Sequence, residues 1–197
     1  MTRLAKVPVD QWDPELRAMM DADNTTELER GVACVMALSP AVAKATIRFG
    51  KDLFDNMTLP ARLVELVRLR ISFHNQCRTC MVMRYSSALD DGLTEGMVCS
   101  LERPQEAPDL TEAEKSALAY ADISSTDHFS IGDATFDDLR RHFSEAQIVE
   151  LGTFIAYFIG FGRLDATWDL VEILPDAFQD QSAPAAPWNG AAEVVRR

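Results

Sequence analysis

Cysteine stands at position 77 and again at 80, with Arg78 and Thr79 between them. Two thiols three residues apart share one face of a helix and lie within disulfide reach, so one sulfur can attack and the other resolve. Glu65 precedes the pair, His74 stands just before Cys77, and Arg84 follows Cys80 by one helical turn. A buried Glu65 could accept a proton from Cys77; the plainer reading is an ion pair with Arg62, Arg68 or Arg70. His74 is either a base for the thiols or a cap at a helix junction. Arg84 either tunes the thiolates and binds an anionic group, or pairs with Asp90 or Asp91. Zinc takes about four ligands, and the chain has no second Cys-x-x-Cys and no His-x-x-x-His. Cys77 and Cys80 therefore read as a redox pair first, as a chance, inertly packed pair second and as a metal half-site last, and neither a metal nor a cofactor is expected. Cys34 and Cys99 sit among apolar residues and read as small packing groups. His128 and His142 have polar surroundings and read as surface residues.

These groups must be held by something, and the composition supplies it. The chain has 197 residues, 47% of them hydrophobic, enough for one domain with a sizeable core. Its net charge of −12 repels phosphate backbones and anionic lipid, so neither nucleic acid nor membrane is an expected partner. The longest apolar run, Leu151 to Gly162, stops at Arg163 and is too short to span a bilayer. The N-terminus carries no secretory h-region, and four cysteines in a chain this long make no disulfide scaffold. A reducing cytoplasm is the expected location, where a Cys-x-x-Cys is redox-active or metal-binding more often than structural.

The pattern is helical throughout. Asp13-Pro14 caps a short helix to Asp21, and further helices are expected over 27–38, from Pro40 to about Phe54, and from Pro60 to about Phe73. Leu63, Leu66, Val67 and Ile71 form the buried stripe of the last of these, with Glu65 off it. His74-Asn75 is expected to break the chain, with Asn75 capping a helix that runs to Asp90 and carries both cysteines in its first turns. Backbone N–H groups there would lower a thiol pKa. Helices over 93–101, 112–123, 137–143, 145–161 and 163–174 complete the series, two of them opened by the capping boxes Thr111–Glu114 and Ser144–Gln147. No segment alternates with period two, so no sheet is expected. Phe154, Phe158, Phe161, Met81, Met83 and Tyr85 are core residues or the lining of an apolar pocket beside the cysteines. The domain reading is an N-terminal arm and short helix (1–25), a helical domain (26–175) and a flexible C-terminal tail (176–197) in which Trp188 is an exposed residue or a subunit anchor.

Leu59-Pro60, Glu65-Leu66 and Asn75-x-Cys77-x-x-Cys80, followed by Glu150-Leu151 and Tyr157, resemble the carboxymuconolactone decarboxylase and alkylhydroperoxidase D-like family. The resemblance covers residues 40–100 and, more thinly, 111–172. It implies an all-α, single-domain helical bundle that assembles as a homo-oligomer, a trimer or hexamer. For the redox-active branch it implies a thiol peroxidase, with Cys80 attacking a small peroxide, Cys77 resolving, Glu65 in the proton relay, and a dithiol or protein reductant as partner. Where the family's pattern has a histidine after the second cysteine, this chain has Arg84, which stays charged and cannot shuttle a proton, so the usual relay is incomplete. The family's other chemistry, a cofactor-free decarboxylation or isomerisation of a small lactone or acid, would use Glu65 and Arg84 instead. A catalytically silent oligomer is the third reading.

Overall fold

The structure, a computed structural model, describes residues 2–190 and 192–196. Helix accounts for 62% of the described residues and strand for 3%, so the all-α class holds. The helices are α1 (Pro14–Met19), α2 (Glu27–Arg30), α3 (Ala33–Met36), α4 (Pro40–Asp55), α5 (Ala61–Asn75) and α6 (Arg78–Val82). After a three-residue strand β1 (Met83–Tyr85) come α7 (Ser86–Asp90), α8 (Glu95–Ser100), α9 (Glu112–Thr126), α10 (Asp133–Leu139), α11 (Glu145–Trp168) and α12 (Asp176–Gln179), then strand β2 (Glu193–Val195).

Helix α5 is the axis. Leu63, Val64, Leu66, Val67, Leu69 and Ile71 are all buried, and so are Glu65, Arg68, Ser72 and Asn75, leaving it covered nearly all round. A helix with no wet face sits at the centre of a bundle, and α5 packs against α9 and α11, whose Ala117, Leu118, Leu151 and Phe154 are fully buried against it. Its polar residues are tied outward: Arg62 Nε donates to Glu114 at 2.8 Å, and Arg70 Nε to Asp122 at 2.6 Å. Glu150, on α11, accepts the backbone N–H groups of Thr58 (2.7 Å) and Leu59 (3.0 Å), fixing the turn that feeds α5.

Four expectations are corrected. The 27–38 helix is split at Gly31, whose φ of 42° and ψ of −127° suit a residue without Cβ. Helix α5 runs on through His74 and Asn75 and ends at Gln76 in the left-handed region (φ 51°). The expected helix to Asp90 is interrupted by β1, which pairs in parallel with β2, Met83 facing Glu193 and Tyr85 facing Val195. The expectation of no sheet therefore fails by one short pair, too brief to show alternation. Helix α11 passes through Gly160 and Gly162 to Trp168, where separate helices were expected to end and begin.

The segment after Pro175, expected as a flexible arm, lies against the body. Phe178, Ala185 and Ala186 are buried. Trp188 is half-buried and packs on Phe73 of its own chain at 5.0 Å between ring centroids, correcting the exposed reading. Of the remaining cysteines, Cys34 is half-buried but Cys99 is exposed, against the expectation that it packs inward. No helix of the described residues is long and apolar enough to cross a membrane.

Candidate functional site

The turn between α5 and α6 carries the cysteines. Gln76 reverses the chain, Cys77 is the N-cap of α6, and its Sγ accepts the Cys80 backbone N–H at 3.3 Å. The two sulfurs are joined in a disulfide, with the Cα atoms 5.2 Å apart. The two cysteines differ in environment. Cys77 is 1% exposed, whereas Cys80 is half-buried and forms part of the wall of a cavity of about 560 Å³. That cavity is largely apolar, with Met20, Leu28, Tyr85, Tyr157, Phe158 and Phe161 in its walls. Of the residues expected to line such a pocket, Met83, Tyr85, Phe158 and Phe161 do, while Met81 and Phe154 are fully buried in the core. Much of the outer wall comes from α1–α3, ahead of the segment that carries the motif. Cys77 borders a second cavity, of about 410 Å³, on the other side.

Glu65 is buried (1% exposed), contrary to its position off the apolar stripe. It is paired with Arg68, one turn on, through Nε at 2.6 Å and Nη2 at 2.8 Å, and also accepts the Tyr85 N–H at 3.1 Å. Arg68 continues the connection, donating to the carbonyls of Cys80 (2.7 Å) and Met83 (2.8 Å) and lying 4.6 Å over the Tyr85 ring. Burial opposes the Arg68 charge, but the adjoining Glu65 carboxylate outweighs it and holds the guanidinium pKa above its ordinary value. Arg68 thus bridges Glu65 to the cysteine turn. Sequence reasoning had it only as one of three ion-pair partners; the i, i+3 spacing was the available signal.

Two expected auxiliaries face elsewhere. His74 Nε2 lies 2.7 Å from Asp122 Oδ1, in a cluster with Arg70. Against the cost of burial, bonds from His74 and Arg70 hold the Asp122 carboxyl below its usual range. Arg84 is 1% exposed on β1, not on a helical face shared with the thiols. Its guanidinium donates to the carbonyls of Met81 (2.7 Å) and Pro187 (2.8 Å) and to Glu95 Oε1 (2.9 Å), so it ties the C-terminal segment down; neither Asp90 nor Asp91 is its partner. Arg78, inside the motif, does likewise with the carbonyls of Phe178, Asp180 and Ala183.

The residue that sequence reading missed is Asp165, on α11. One of its carboxylate oxygens and both cysteine sulfurs lie within 4.8 Å of one another. Asp165 is half-buried, and burial alone pushes its pKa up to about 7. Nothing in the sequence near Asp165 marks it, because it reaches the motif only through helix packing. Asn75 supplies that packing, donating to Phe158 O at 3.0 Å and accepting from Arg163 Nε at 3.0 Å. Three atoms of metal-ligand type is one short of a structural zinc set. With the sulfurs bonded to each other, the group is a disulfide beside an acid.

Comparison with known proteins bears on this geometry. Residues 40–122 match the model of the Carboxymuconolactone decarboxylase family. An uncharacterised protein of Mycobacterium tuberculosis is 38% identical over 89 residues, 44% of this chain and 31% of that protein; the chain thus spans less than a third of that relative's length. A crystal structure from Agrobacterium tumefaciens, described as a candidate antioxidant defence protein AhpD, superposes with a TM-score of 0.61 at 25% identity, covering 68% of this chain and 92% of the other. The alkylhydroperoxidase AhpD core of a peroxidase-related protein from Ralstonia eutropha JMP134 superposes with a TM-score of 0.71 at 18% identity, covering 90% and 94%, and shares the fold.

Proposed function

We propose, on the match of residues 40–122 to the carboxymuconolactone decarboxylase family, that the chain is a thiol-dependent reductase of small organic hydroperoxides. The observation that carries the reading is the asymmetry of the cysteine pair: half-buried Cys80 borders the larger, apolar cavity, while Cys77, 1% exposed, borders only the smaller one behind it and is bonded to Cys80. An attacking thiol needs an open approach, and a resolving thiol needs only its neighbour.

In this reading the Cys80 thiolate attacks the outer oxygen of the hydroperoxide. An S–O bond forms, the O–O bond breaks, and the alkoxide leaves as the alcohol once it gains a proton. Cys77 then attacks the Cys80 sulfenic sulfur, the disulfide forms, and the hydroxyl leaves as water. A dithiol reductant supplies two electrons and two protons and restores both thiols. Apolar walls favour an alkyl or aryl hydroperoxide over hydrogen peroxide. The proposed compartment is the cytoplasm, where such reductants are maintained. Glu65 serves by fixing Arg68, and through it the turn that carries Cys80, rather than by meeting the thiols.

The decarboxylase or isomerase reading would need Glu65 as a free base and Arg84 as a carboxylate anchor. Both are engaged, Glu65 with Arg68 and Arg84 with Glu95 and the carbonyls of Met81, Met83 and Pro187, and the observations do not favour it. The test is consumption of cumene hydroperoxide with dithiothreitol as reductant. Wild type should turn over and Cys80→Ser should not; turnover that persists in Cys80→Ser ends the reading.

A further inference from the structure

We propose that the Asp165 carboxyl group is the acid–base that moves protons on and off both cysteine sulfurs, filling the place that Arg84 leaves empty. The proposal deepens the thiol-redox reading and rests on it. Its ground is geometric. A carboxylate oxygen lies within 4.8 Å of Cys77 Sγ and of Cys80 Sγ, a span that direct contact or one bridging water covers. Asp165 also lies between the two cavities, lining both, so it stands where the substrate side and the resolving side meet. Among the described residues it has no ion pair and no side-chain hydrogen bond. A carboxylate that served only structure would be expected to have one.

The neighbouring charges leave it that freedom. Arg68 is held by Glu65, and Arg163, two residues before Asp165, by Asn75 and Ser125. Arg3 bonds Thr167 O, Arg78 bonds the tail carbonyls, and Asp169 accepts from Gln181. At the larger cavity, Lys51 pairs with Asp55, Arg196 with Glu29, Arg30 with backbone carbonyls, and Asp21 with Asn24. Burial without compensation raises the Asp165 pKa to about 7, near that of a working acid–base at neutral pH.

The balance is simple. In peroxide reduction the Asp165 carboxylate takes the Cys80 thiol proton, and the resulting acid returns it to the departing alkoxide. In resolution it takes the Cys77 proton and gives it to the departing hydroxyl, which leaves as water. In regeneration Asp165 takes the proton of the dithiol's first thiol as that sulfur attacks Cys80 Sγ, the S–S bond breaks, and Cys77 leaves as a thiolate that receives the proton; the second thiol then attacks its own mixed disulfide, closing the reductant's ring, and its proton passes through Asp165 to the departing Cys80 thiolate.

The experiment follows two reactions of the full chain across about pH 5 to 9: reduction of the disulfide by dithiothreitol, and oxidation of the reduced protein by cumene hydroperoxide. Wild type, Asp165→Asn and Asp165→Glu are compared. Near neutral pH, Asp165→Asn is expected to slow disulfide reduction about 100-fold and to lose the limb near pH 7, while Asp165→Glu restores part of both. Rates and pH profiles unchanged in Asp165→Asn would overturn the proposal. Should that variant misfold, the Asp165 carboxyl is titrated by carbon-13 NMR in oxidised and reduced wild type; a midpoint that shifts with redox state supports the proposal, and one that does not overturns it. An Asp165-dependent exchange without peroxide turnover would remove the peroxidase reading and leave this one standing. Peroxide turnover with no Asp165 dependence would do the reverse.

Discussion

Glu65 and Arg68, one turn apart on α5, form a buried two-bond ion pair, and the remaining edge of Arg68 grips the carbonyls of Cys80 and Met83. One helix thus holds the backbone of the cysteine turn through a single side chain. Removing the cation leaves Glu65 buried and unpaired. Arg68→Met is expected to cost about 3–5 kcal/mol in urea unfolding, and Arg68→Lys to recover little, since lysine cannot make the two-pronged bond.

The unequal exposure of the cysteines predicts unequal variants. Cys80→Ser should abolish peroxide consumption outright. Cys77→Ser should still react once, leaving a sulfenic acid on Cys80 that a dimedone probe traps and mass spectrometry locates. Trapping at position 77 in Cys80→Ser would reverse the assignment.

Asp165 gives stability a pH dependence of determined sign. Its pKa is raised from an ordinary 3.8 to about 7. Within that window the folded chain holds a proton that the unfolded chain has released, so the contribution of Asp165 to stability falls as pH rises from about 4 to about 7 and is flat beyond. Asp165→Asn removes that fall. Relative to wild type it should gain stability across the window, by about 2 kcal/mol at most, since a half-buried carboxyl is partly screened by water. Thermal melts of both proteins across the window check it.

Gly162 faces Asn75 closely: a Cβ there would lie 2.7 Å from Asn75 Nδ2. Gly162→Ala should displace the amide that links α11 to the end of α5, costing about 1–3 kcal/mol. Because the same packing brings Asp165 to the sulfurs, disulfide reduction by dithiothreitol should slow as well.

Arg84 holds Pro187 while buried. Arg84→Ala should free the segment around Ala183–Trp188 for cleavage in limited proteolysis, at sites protected in wild type.

How far the site was legible depends on the distance over which each relation acts. The Cys77–Cys80 spacing, the capping boxes and the all-helical class are local, and the residues declare them. Glu65 looks solvent-facing when α5 is read as half-buried, and only packing against both α9 and α11 reveals that Glu65 and Arg68 have no water to face. The end of α5 was placed two residues early because Asn75 resembles a cap; in the fold its side chain bonds α11 instead. Arg84 was read on a helix that β1 interrupts. Asp165 was beyond reach, since nothing in a single chain tells which face of α11 meets the cysteine turn.

The pairing of β1 with β2 has a consequence for how the protein is made. Met83 finds its partner Glu193 more than half the chain later, and the carbonyls that Arg78 and Arg84 hold also belong to that late segment. While the chain is being synthesised, Arg78 and Arg84, which flank the cysteine turn, therefore wait for partners that are added more than ninety residues later.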